Sequence, residues 1–410
     1  MTPASDPPRG AIFVHQVSRS GQIGPLAPWI TMAGWASAAE RRYGNAWVVT
    51  TEGVLSPATA LAGASSPFRE ADSVVGWRKR IPEPLITLAK DVRRIGRNHH
   101  FYRTIDVERW RSFEVPFVFQ LHGLFCDGGL KVADALSVPS VLIVDACQVE
   151  EARGWGIARP GWTVLAERFG EWPQLRKADV VACVSEEVAG SVTRNTGRRD
   201  AVEVVPNGVD TELFSPAPES ASLRAELGLE RAFVVGWAGS FRSFHGLDVL
   251  LDAAALVRAD IPELVVLLVG DGLKRPSVVA RAGALDVRAV FPGTVPYHSM
   301  PDYLRLMDVA VVVAPAEGSF HYSPVKLREY QAVGLPVIAS DAGEMGRDLR
   351  EENGALLVRR GDPNALAAAI SALYHDRTRA EALGSAGRVS IERSGSWDAR
   401  LAEVERLVFR

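Results

Sequence analysis

The stretch from Glu317 to Ser340 carries the residues of this 410-residue chain that are best suited to chemistry. Ser323 is a preferred helix N-cap and Pro324 a preferred first helical residue, so a helix is predicted to begin here. Gly334 suits the position just past the end of that helix. Because the first amides of a helix lack internal partners and carry partial positive charge, this helix start favours an anion.

Lys326 and Glu329 lie three residues apart in the predicted helix and therefore share a face. A cation in the first turn is slightly unfavourable against the helix dipole unless an anion is bound nearby. A carboxylate one turn deeper can accept hydrogen bonds from both hydroxyls of a diol. The pair suits the diphosphate and the ribose of a nucleotide, although a capped surface helix with a solvated Lys and Glu would show the same residues.

A second candidate loop follows the apolar run Phe233–Gly236 and precedes a predicted helix that begins near Leu247. Gly239 allows the backbone to approach a phosphate closely, and the guanidinium of Arg242 can grip phosphate oxygens. The loop is not a GxGxxG fingerprint. An ordinary connection between a strand and a helix would look the same.

Two further turns, Val269–Gly272 and Pro292–Pro296, also follow apolar runs. In an open parallel α/β sheet, the loops at the carboxyl ends of the strands lie along one edge, and ligands bind there. The four loops together predict one ligand site at one edge of one sheet.

Short apolar runs alternate with amphipathic segments, which predicts α/β domains with parallel sheets covered on both faces. Turn-forming residues between Val205 and Pro218 divide the chain into two halves. The predicted strands are Ala11–Val14, Ala46–Val49, Phe117–Leu121, Val141–Val144, Val180–Val184 and Glu203–Val205 in the first half, and Phe233–Gly236, Val265–Val269, Val290–Phe291, Val309–Val313, Val337–Ala339 and Ala355–Val358 in the second.

The domain prediction is a disordered lead over 1–10, an N-terminal domain over 11–205, a C-terminal ligand-binding domain over 206–385 and a C-terminal helical segment over 386–410 that could pack on either domain.

The net charge of −3 argues against nucleic acid as a partner, and three cysteines do not form a disulfide framework. No apolar run is long enough to span a membrane, and the N-terminus lacks the apolar core of a signal peptide. A cytoplasmic location is therefore predicted.

Four segments together resemble glycosyltransferase family 4. Val204–Phe214 is similar to the interdomain signature of that family, Gly236–Leu251 to its glycine loop, Val269–Gly272 to its Val-Gly-x-Gly turn and Ser323–Ser340 to its Glu-x7-Glu region. The order and spacing of the segments agree with the family from about residue 178 to residue 361. The first 170 residues resemble it only in architecture.

The resemblance implies the GT-B fold, in which two Rossmann-like domains face each other across a cleft. It implies retaining, metal-independent transfer of a sugar from a UDP- or GDP-linked donor, without a permanently bound cofactor. The implied acceptor is a hydroxyl of a glycan, a lipid-linked molecule or a small molecule. Two alternatives remain: a nucleotide-sugar-binding protein without catalysis, and another GT-B enzyme such as an epimerase.

Site residues follow from the same resemblance. Catalytic roles are implied for His122, Arg242 and Lys326, although His122 could equally be a histidine that only caps a strand. Gly21 and Gly24 match the glycine loop on the acceptor side, and a flexible surface loop is the alternative. The implied donor-binding residues are Gly239, Ser240, Arg242, Gly270, Gly272, Val295, Pro296, Gly318, Ser319, Phe320, His321, Ser323, Pro324, Lys326 and Glu329.

Two positions depart from the family pattern. His321 stands where the first Glu of Glu-x7-Glu is expected, and His245 stands where a Lys often follows the glycine-loop Arg. The first departure affects contacts with the donor sugar. The second replaces a fixed cation by a group that is charged only when protonated.

Residues 84–97 form a basic amphipathic segment outside these motifs. Its apolar stripe is Leu85, Leu88, Val92 and Ile95, and its basic residues are Lys90, Arg93, Arg94 and Arg97. Such a helix can lie on an anionic membrane, here the inner face, as a peripheral contact. The interpretation that we favour is an ordinary surface helix whose stripe faces the core.

Overall fold

The computed structural model describes residues 7–16, 27–63, 81–154, 157, 159–318 and 323–410. They form two α/β domains, each built on its own sheet. None of the helices in this part of the chain is long and apolar enough to cross a membrane.

The N-terminal domain has a seven-stranded sheet in the order β3-β2-β1-β4-β5-β6-β7. Its strands are β1 Ala11–Val14, β2 Ala46–Thr50, β3 Gly53–Leu55, β4 Val118–Leu121, β5 Ser140–Val144, β6 Val180–Cys183 and β7 Val202–Val204. Its helices are α1 Ala27–Tyr43, α2 Pro57–Gly63, α3 Glu83–Thr104, α4 Gly128–Leu136, α5 Gln148–Gly154, α6 Thr163–Leu165, α7 Trp172–Lys177 and α8 Glu186–Thr196. All neighbouring strands are parallel except the β2–β3 pair, and β3 is the strand that the sequence did not predict.

The C-terminal domain has a six-stranded, fully parallel sheet in the order β10-β9-β8-β11-β12-β13. Its strands are β8 Phe233–Ala238, β9 Leu264–Val269, β10 Ala289–Gly293, β11 Val309–Val312, β12 Val337–Ser340 and β13 Ala355–Val358. The helices that follow α8 are α9 Ala221–Glu226, α10 Leu247–Val257, α11 Arg275–Ala284, α12 Met300–Leu304, α13 Val325–Ala332, α14 Gly343–Asp348, α15 Pro363–His375, α16 Arg377–Ser394 and α17 Trp397–Val408.

Both sheets reverse their strand order beside the first strand of the domain, between β1 and β4 and between β8 and β11. Ligands of open α/β sheets bind outside the carboxyl ends of the strands at such a switch point. In the C-terminal domain the two flanking loops are the Gly239 loop after β8 and the loop that leads from β11 to α13. The topology therefore places the two strongest sequence candidates side by side.

The last helix of the chain returns to the N-terminal domain. Trp397, Leu401 and Val404 of α17 are buried in the hydrophobic core that α1 covers. The ring of Trp397 packs so closely on Gly34 that a Cβ there would lie 2.3 Å from it. The predicted boundary at 386 lies inside α16, so the crossing between domains begins only after Ser394.

The structure describes the predicted disordered lead, 1–10, only from residue 7, and there Arg9 forms a β-bridge with Glu114, which corrects the end of that prediction. A π-helical segment, Ala166–Glu171, lies between α6 and α7. The apolar stripe of α3 faces solvent rather than the core: Leu85 is 55%, Leu88 40%, Val92 59% and Ile95 49% exposed.

Candidate functional site

Helix α13 begins one residue later than predicted. Pro324 occupies the cap position with an extended backbone, and no side chain caps the helix. Ser323 is therefore not the N-cap, which corrects that prediction. Gly334 does follow the helix in a left-handed conformation, with φ 82°, as predicted.

Three buried polar atoms near this helix start find no hydrogen-bond partner among the described residues: Ser323 Oγ, Lys326 Nζ and Asn207 Oδ1. Asn207 comes from the linker between the domains, and its Nδ2 donates to the Ser323 carbonyl at 3.0 Å. A buried polar atom without a partner costs about 1–3 kcal/mol. An anionic oxygen of a ligand would satisfy Ser323 Oγ and Lys326 Nζ, and a hydroxyl of a ligand could donate to Asn207 Oδ1. Unsatisfied buried atoms grouped in this way are typical of a binding site rather than of a capped surface helix.

The amine of Lys326 lies over the ring of Trp237, 4.0 Å from the ring centroid. Burial lowers the pKa of Lys326 to about 7, and the nearby Glu329 opposes part of that shift. The ring supplies a weak attraction for the ammonium but not a full counter-charge. A bound anion would therefore strongly stabilise the charged form of Lys326.

The carboxylate of Glu329 is buried and hydrogen-bonded by the hydroxyl of Tyr297. Burial raises the pKa of Glu329 to about 7, against the effects of Tyr297 and Lys326. Tyr297 directly follows Val295 and Pro296, so the bond joins Glu329 to the turn that holds two other predicted donor-binding residues. Sequence reasoning missed Tyr297, whose only signal was its place after that turn.

The glycine loops are in direct backbone contact. The amide of Gly239 donates to Val269 O at 2.9 Å, and the amide of Phe241 donates to Asp271 O at 3.0 Å. A Cβ on Gly270 would lie 2.0 Å from Gly239 O, and a Cβ on Gly239 would lie 2.7 Å from Lys326 Nζ. The Gly239 loop, the Gly270–Gly272 turn and the start of α13 therefore close around one space.

Arg242 and His245 complete the cationic side of the site. Arg242 is half-buried, and Ser240 in the same loop is also half-buried. Burial, together with the charges of Lys326 and Arg242, holds the pKa of His245 well below its usual value. His245 is therefore neutral at physiological pH. Arg242 and, when an anion is bound beside it, Lys326 supply the positive charge.

The structure does not describe the positions of five predicted site residues. Ser319, Phe320, His321, Gly21 and Gly24 lie outside the described residues. Gly318 is exposed, and its carbonyl accepts a hydrogen bond from Arg360 at 3.0 Å. The same guanidinium holds the carbonyl of Pro315, so Arg360 ties down the loop that leads to α13.

His122 follows β4 at the carboxyl edge of the other sheet. It is buried, and neither ring nitrogen makes a hydrogen bond of normal geometry. Burial lowers the pKa of His122 to about 4, although the Ala146 backbone opposes that shift. The imidazole is therefore neutral, able to accept or donate one proton in a hydrogen bond.

Glu171 is a buried carboxylate beside His122 that the sequence did not indicate. Its carboxylate lies 3.8 Å from His122 Nε2 and accepts hydrogen bonds from the amides of Gln148 and Val149 at the start of α5. Burial raises the pKa of Glu171 to about 7. Glu171 ends the π-helical segment, a feature frequent at functional sites, but nothing in the residue pattern predicts it.

Known proteins resemble the chain in both halves. The family model for Glycosyltransferase Family 4 matches residues 61–213, and the model for Glycosyl transferases group 1 matches residues 232–376. The first match ends inside the division between Val205 and Pro218, and the second begins after it.

Two relatives illustrate the sequence similarity. A D-inositol 3-phosphate glycosyltransferase of Thermobispora bispora is 36% identical over 221 residues, which cover 50% of each chain. A GDP-mannose-dependent alpha-(1-6)-phosphatidylinositol monomannoside mannosyltransferase of Mycolicibacterium smegmatis is 28% identical over 61% of this chain and 66% of its own. The chain thus spans about half the length of the first of these relatives and about two thirds of the second.

The fold is shared along almost the whole chain. HepE of Anabaena, solved with UDP and glucose, superimposes with a TM-score of 0.66 at 18% identity and covers 97% of this chain and 98% of its own. Sucrose-phosphate synthase of Thermosynechococcus elongatus gives a TM-score of 0.65 at 18% identity, with the same coverage. These similarities confirm the predicted GT-B fold. With the two family matches, they establish that the chain belongs to the family 4, or group 1, glycosyltransferases.

Proposed function

We propose that this chain is a retaining glycosyltransferase that moves a sugar from a nucleoside diphosphate sugar to an acceptor hydroxyl without a metal ion. The observation that carries the proposal is the group of unsatisfied buried atoms at the start of α13, with Glu329 one turn further on. A diphosphate satisfies the cation and the hydroxyl, and a ribose diol satisfies the carboxylate.

The cationic side of the site suits a leaving diphosphate. As the glycosidic bond breaks, negative charge grows on the phosphate oxygen that leaves, and groups placed in advance around that oxygen stabilise the transition state. Lys326 and Arg242 supply two positive charges, and the amides of the Gly239 loop and of the α13 start supply dipoles. Since these charges come from the protein, a divalent cation is not required.

The acceptor hydroxyl enters from the N-terminal domain in this proposal. His122 is the residue proposed to lie beside it, where a neutral imidazole can hold the hydroxyl by a hydrogen bond. The relatives are an inositol phosphate glycosyltransferase and a phosphatidylinositol monomannoside mannosyltransferase, and their names point to acceptors of these kinds. A polyhydroxylated small molecule or lipid headgroup is the acceptor class that we propose to test first.

A thermal-shift panel tests the donor half. The full chain is heated alone and with UDP, GDP, ADP or their sugar conjugates, because a bound ligand raises the unfolding temperature by mass action. We expect UDP or GDP to stabilise the chain, as the neighbour solved with UDP and the GDP-mannose-dependent relative suggest. If none of the nucleotides raises the unfolding temperature, the proposed donor site is refuted.

Incubation with radiolabelled donor tests the transfer half. Release of labelled sugar to inositol phosphate, or slowly to water, separates an enzyme from a binding protein without catalysis. The reaction is repeated in excess EDTA, where activity is expected to persist. Loss of activity that Mg²⁺ restores would overturn the metal-independent mechanism but leave the donor site in place.

A further inference from the structure

An ion pair joins the carboxyl ends of the two sheets. Glu187 lies at the start of α8, directly after β6, and Arg347 lies in α14, which follows β12. Arg347 Nη2 is 3.0 Å from Glu187 Oε2. Because β5 pairs with β6, a side chain at the carboxyl end of β5 also lies on the side of the N-terminal domain that faces the C-terminal domain.

Asp145 occupies that position, since it directly follows β5. It is partly exposed, whereas the side chain of His122, at the end of the neighbouring β4, is only 1% exposed. The imidazole of His122 lies against the backbone of Ala146, the residue after Asp145. A molecule that reaches this edge of the sheet can therefore contact Asp145 directly, whereas His122 is covered.

The carboxylate of Asp145 carries a charge that the fold does not compensate. None of the residues that the structure describes forms a hydrogen bond or an ion pair with it. Burial, together with the negative charge of Glu151, raises the pKa of Asp145 to about 6. The group is therefore mainly ionised at neutral pH, and an ionised group in such surroundings costs folding free energy.

Asp145 does not serve as a helix cap. It lies three residues before α5, where a carboxylate could bind the first amides of that helix. Glu171 already fills that role, because its carboxylate accepts hydrogen bonds from the amides of Gln148 and Val149. A destabilising carboxylate that is engaged in neither an ion pair nor a cap within the described structure is typical of a functional site.

We infer that Asp145 is a catalytic residue that binds the attacking hydroxyl of the acceptor. Its ionised oxygens can accept hydrogen bonds from one hydroxyl or from two neighbouring hydroxyls. The same negative charge, with Glu151 nearby, repels an anion. The part of the acceptor that enters here is therefore an uncharged polyol, and any phosphate of the acceptor lies elsewhere. This role rests on the proposed glycosyl transfer, to which it adds a residue and a chemical class of acceptor.

Asp145→Asn tests the role, because the substitution removes the charge and keeps the shape of the side chain. Sugar release from the labelled donor is measured with inositol 3-phosphate as acceptor and with water alone, which then takes the place of the acceptor hydroxyl. We expect release to slow about tenfold to a hundredfold in both cases, because a charge-assisted hydrogen bond to the nucleophile is lost. The dissociation constant of the nucleoside diphosphate should stay unchanged.

Thermal unfolding at pH 7 separates this role from a structural one. The folded pKa of Asp145 is raised from 3.8 to about 6, so wild type loses stability as pH rises through 6. Asp145→Asn is free of that loss and should unfold at a higher temperature than wild type while it releases sugar more slowly. A residue that the fold requires would lose both stability and activity. Asp200→Asn is the matched control, since Asp200 is exposed and lies before β7, at the opposite end of the sheet.

The possible results separate the role of Asp145 from the proposed function. Equal sugar release by wild type and Asp145→Asn overturns the role of Asp145 and leaves glycosyl transfer in place. A variant that is both slower and less stable, or one that binds the nucleotide more weakly, overturns it as well, because the carboxylate would then act on the fold or on the donor. Wild-type protein that binds the nucleotide but never releases sugar overturns the proposed function, and the acceptor role of Asp145 with it.

Discussion

The amine of Lys326 lies 4.0 Å from the centroid of the Trp237 ring, in a position where no described carboxylate forms an ion pair with it. Trp237 belongs to β8 and Lys326 to the first turn of α13, so the contact joins the two strand-to-helix connections that flank the switch point. The ring holds the cation in place at modest energy. A diphosphate would replace that contact by a stronger one, which makes Lys326 the sharpest test of the donor site.

Lys326→Met should weaken binding of the stabilising nucleoside diphosphate about tenfold to a hundredfold. The substitution keeps most of the apolar stem but removes a charge-assisted hydrogen bond of about 1.5–3 kcal/mol. Isothermal titration calorimetry measures the loss, and Lys177→Met, at an exposed lysine of α7, is the matched control. Equal affinity of wild type and Lys326→Met would show that the phosphates bind elsewhere.

Glu329→Ala should remove discrimination between ribose and deoxyribose. If the carboxylate accepts a hydrogen bond from the 2′-hydroxyl, wild type will bind the 2′-deoxynucleotide about tenfold more weakly than the ribonucleotide. The variant should bind both with the same low affinity. The discrimination shown by Tyr297→Phe should lie between those of wild type and Glu329→Ala, because this variant removes the hydrogen bond that orients Glu329. Discrimination that survives in Glu329→Ala would assign the ribose to another residue.

The affinity for the nucleotide sugar should peak near neutral pH. Donor binding requires Lys326 charged and Glu329 ionised, and both pKa values are shifted to about 7, the first downward and the second upward. Affinity should therefore fall below pH 7 as Glu329 is protonated and above pH 7 as Lys326 loses its proton. In the complex the diphosphate raises the pKa of Lys326, so the alkaline fall in affinity begins near pH 7 and levels off above that higher pKa.

Calorimetry from about pH 5 to about pH 9 measures this profile, with a limiting slope of about tenfold per pH unit. Glu329→Gln should lose the acidic limb and Lys326→Met the alkaline limb. A profile that both variants leave unchanged would show that other groups titrate.

The residues of the proposed donor site could be selected from the sequence because their signals are local. Lys326 and Glu329 share a helix turn, and Gly239 and Gly270 each follow a strand directly. Tyr297 was missed because its bond to Glu329 depends on how the turn after β10 packs against α13. The predicted orientation of α3 was wrong for a similar reason. Asp91 and Arg159, whose ion pair decides which face of the helix lies inward, are 68 residues apart.

Gly239→Ala should abolish nucleotide binding while the protein still folds. The substituted Cβ would lie 2.7 Å from Lys326 Nζ, and the residue would keep a φ of 146° that side chains rarely adopt. Gly44→Ala is the matched control, since Gly44 also has positive φ but no atom lies within 4 Å of its added Cβ. We expect both variants to lose stability and only Gly239→Ala to lose nucleotide binding. That result would confirm that the Gly239 backbone lies close to the ligand. Normal binding by Gly239→Ala would show that this loop does not contact the ligand.

Glu171→Gln should reduce the pH dependence of folding stability. The folded pKa of Glu171 is raised from 4.5 to about 7, so the folded chain holds a proton that the unfolded chain releases. The stability tied to that proton is fully present below about pH 4.5 and is lost as pH rises through 7, by up to about 3 kcal/mol. Glutamine keeps an oxygen for the Gln148 amide but binds no proton, so the variant should gain stability relative to wild type between pH 5 and pH 8.

Chemical unfolding at those two pH values measures the change, because every other titrating group is common to both proteins and its contribution cancels in the difference. Glu150→Gln, at an exposed glutamate of α5, should show no such gain. Suppose that the free energy of unfolding of Glu171→Gln differs from that of wild type by the same amount at both pH values. Glu171 would then already be ionised in the folded chain at pH 5. The carboxylate beside His122 would then be a fixed charge, and the acceptor side would be more polar than its burial indicates.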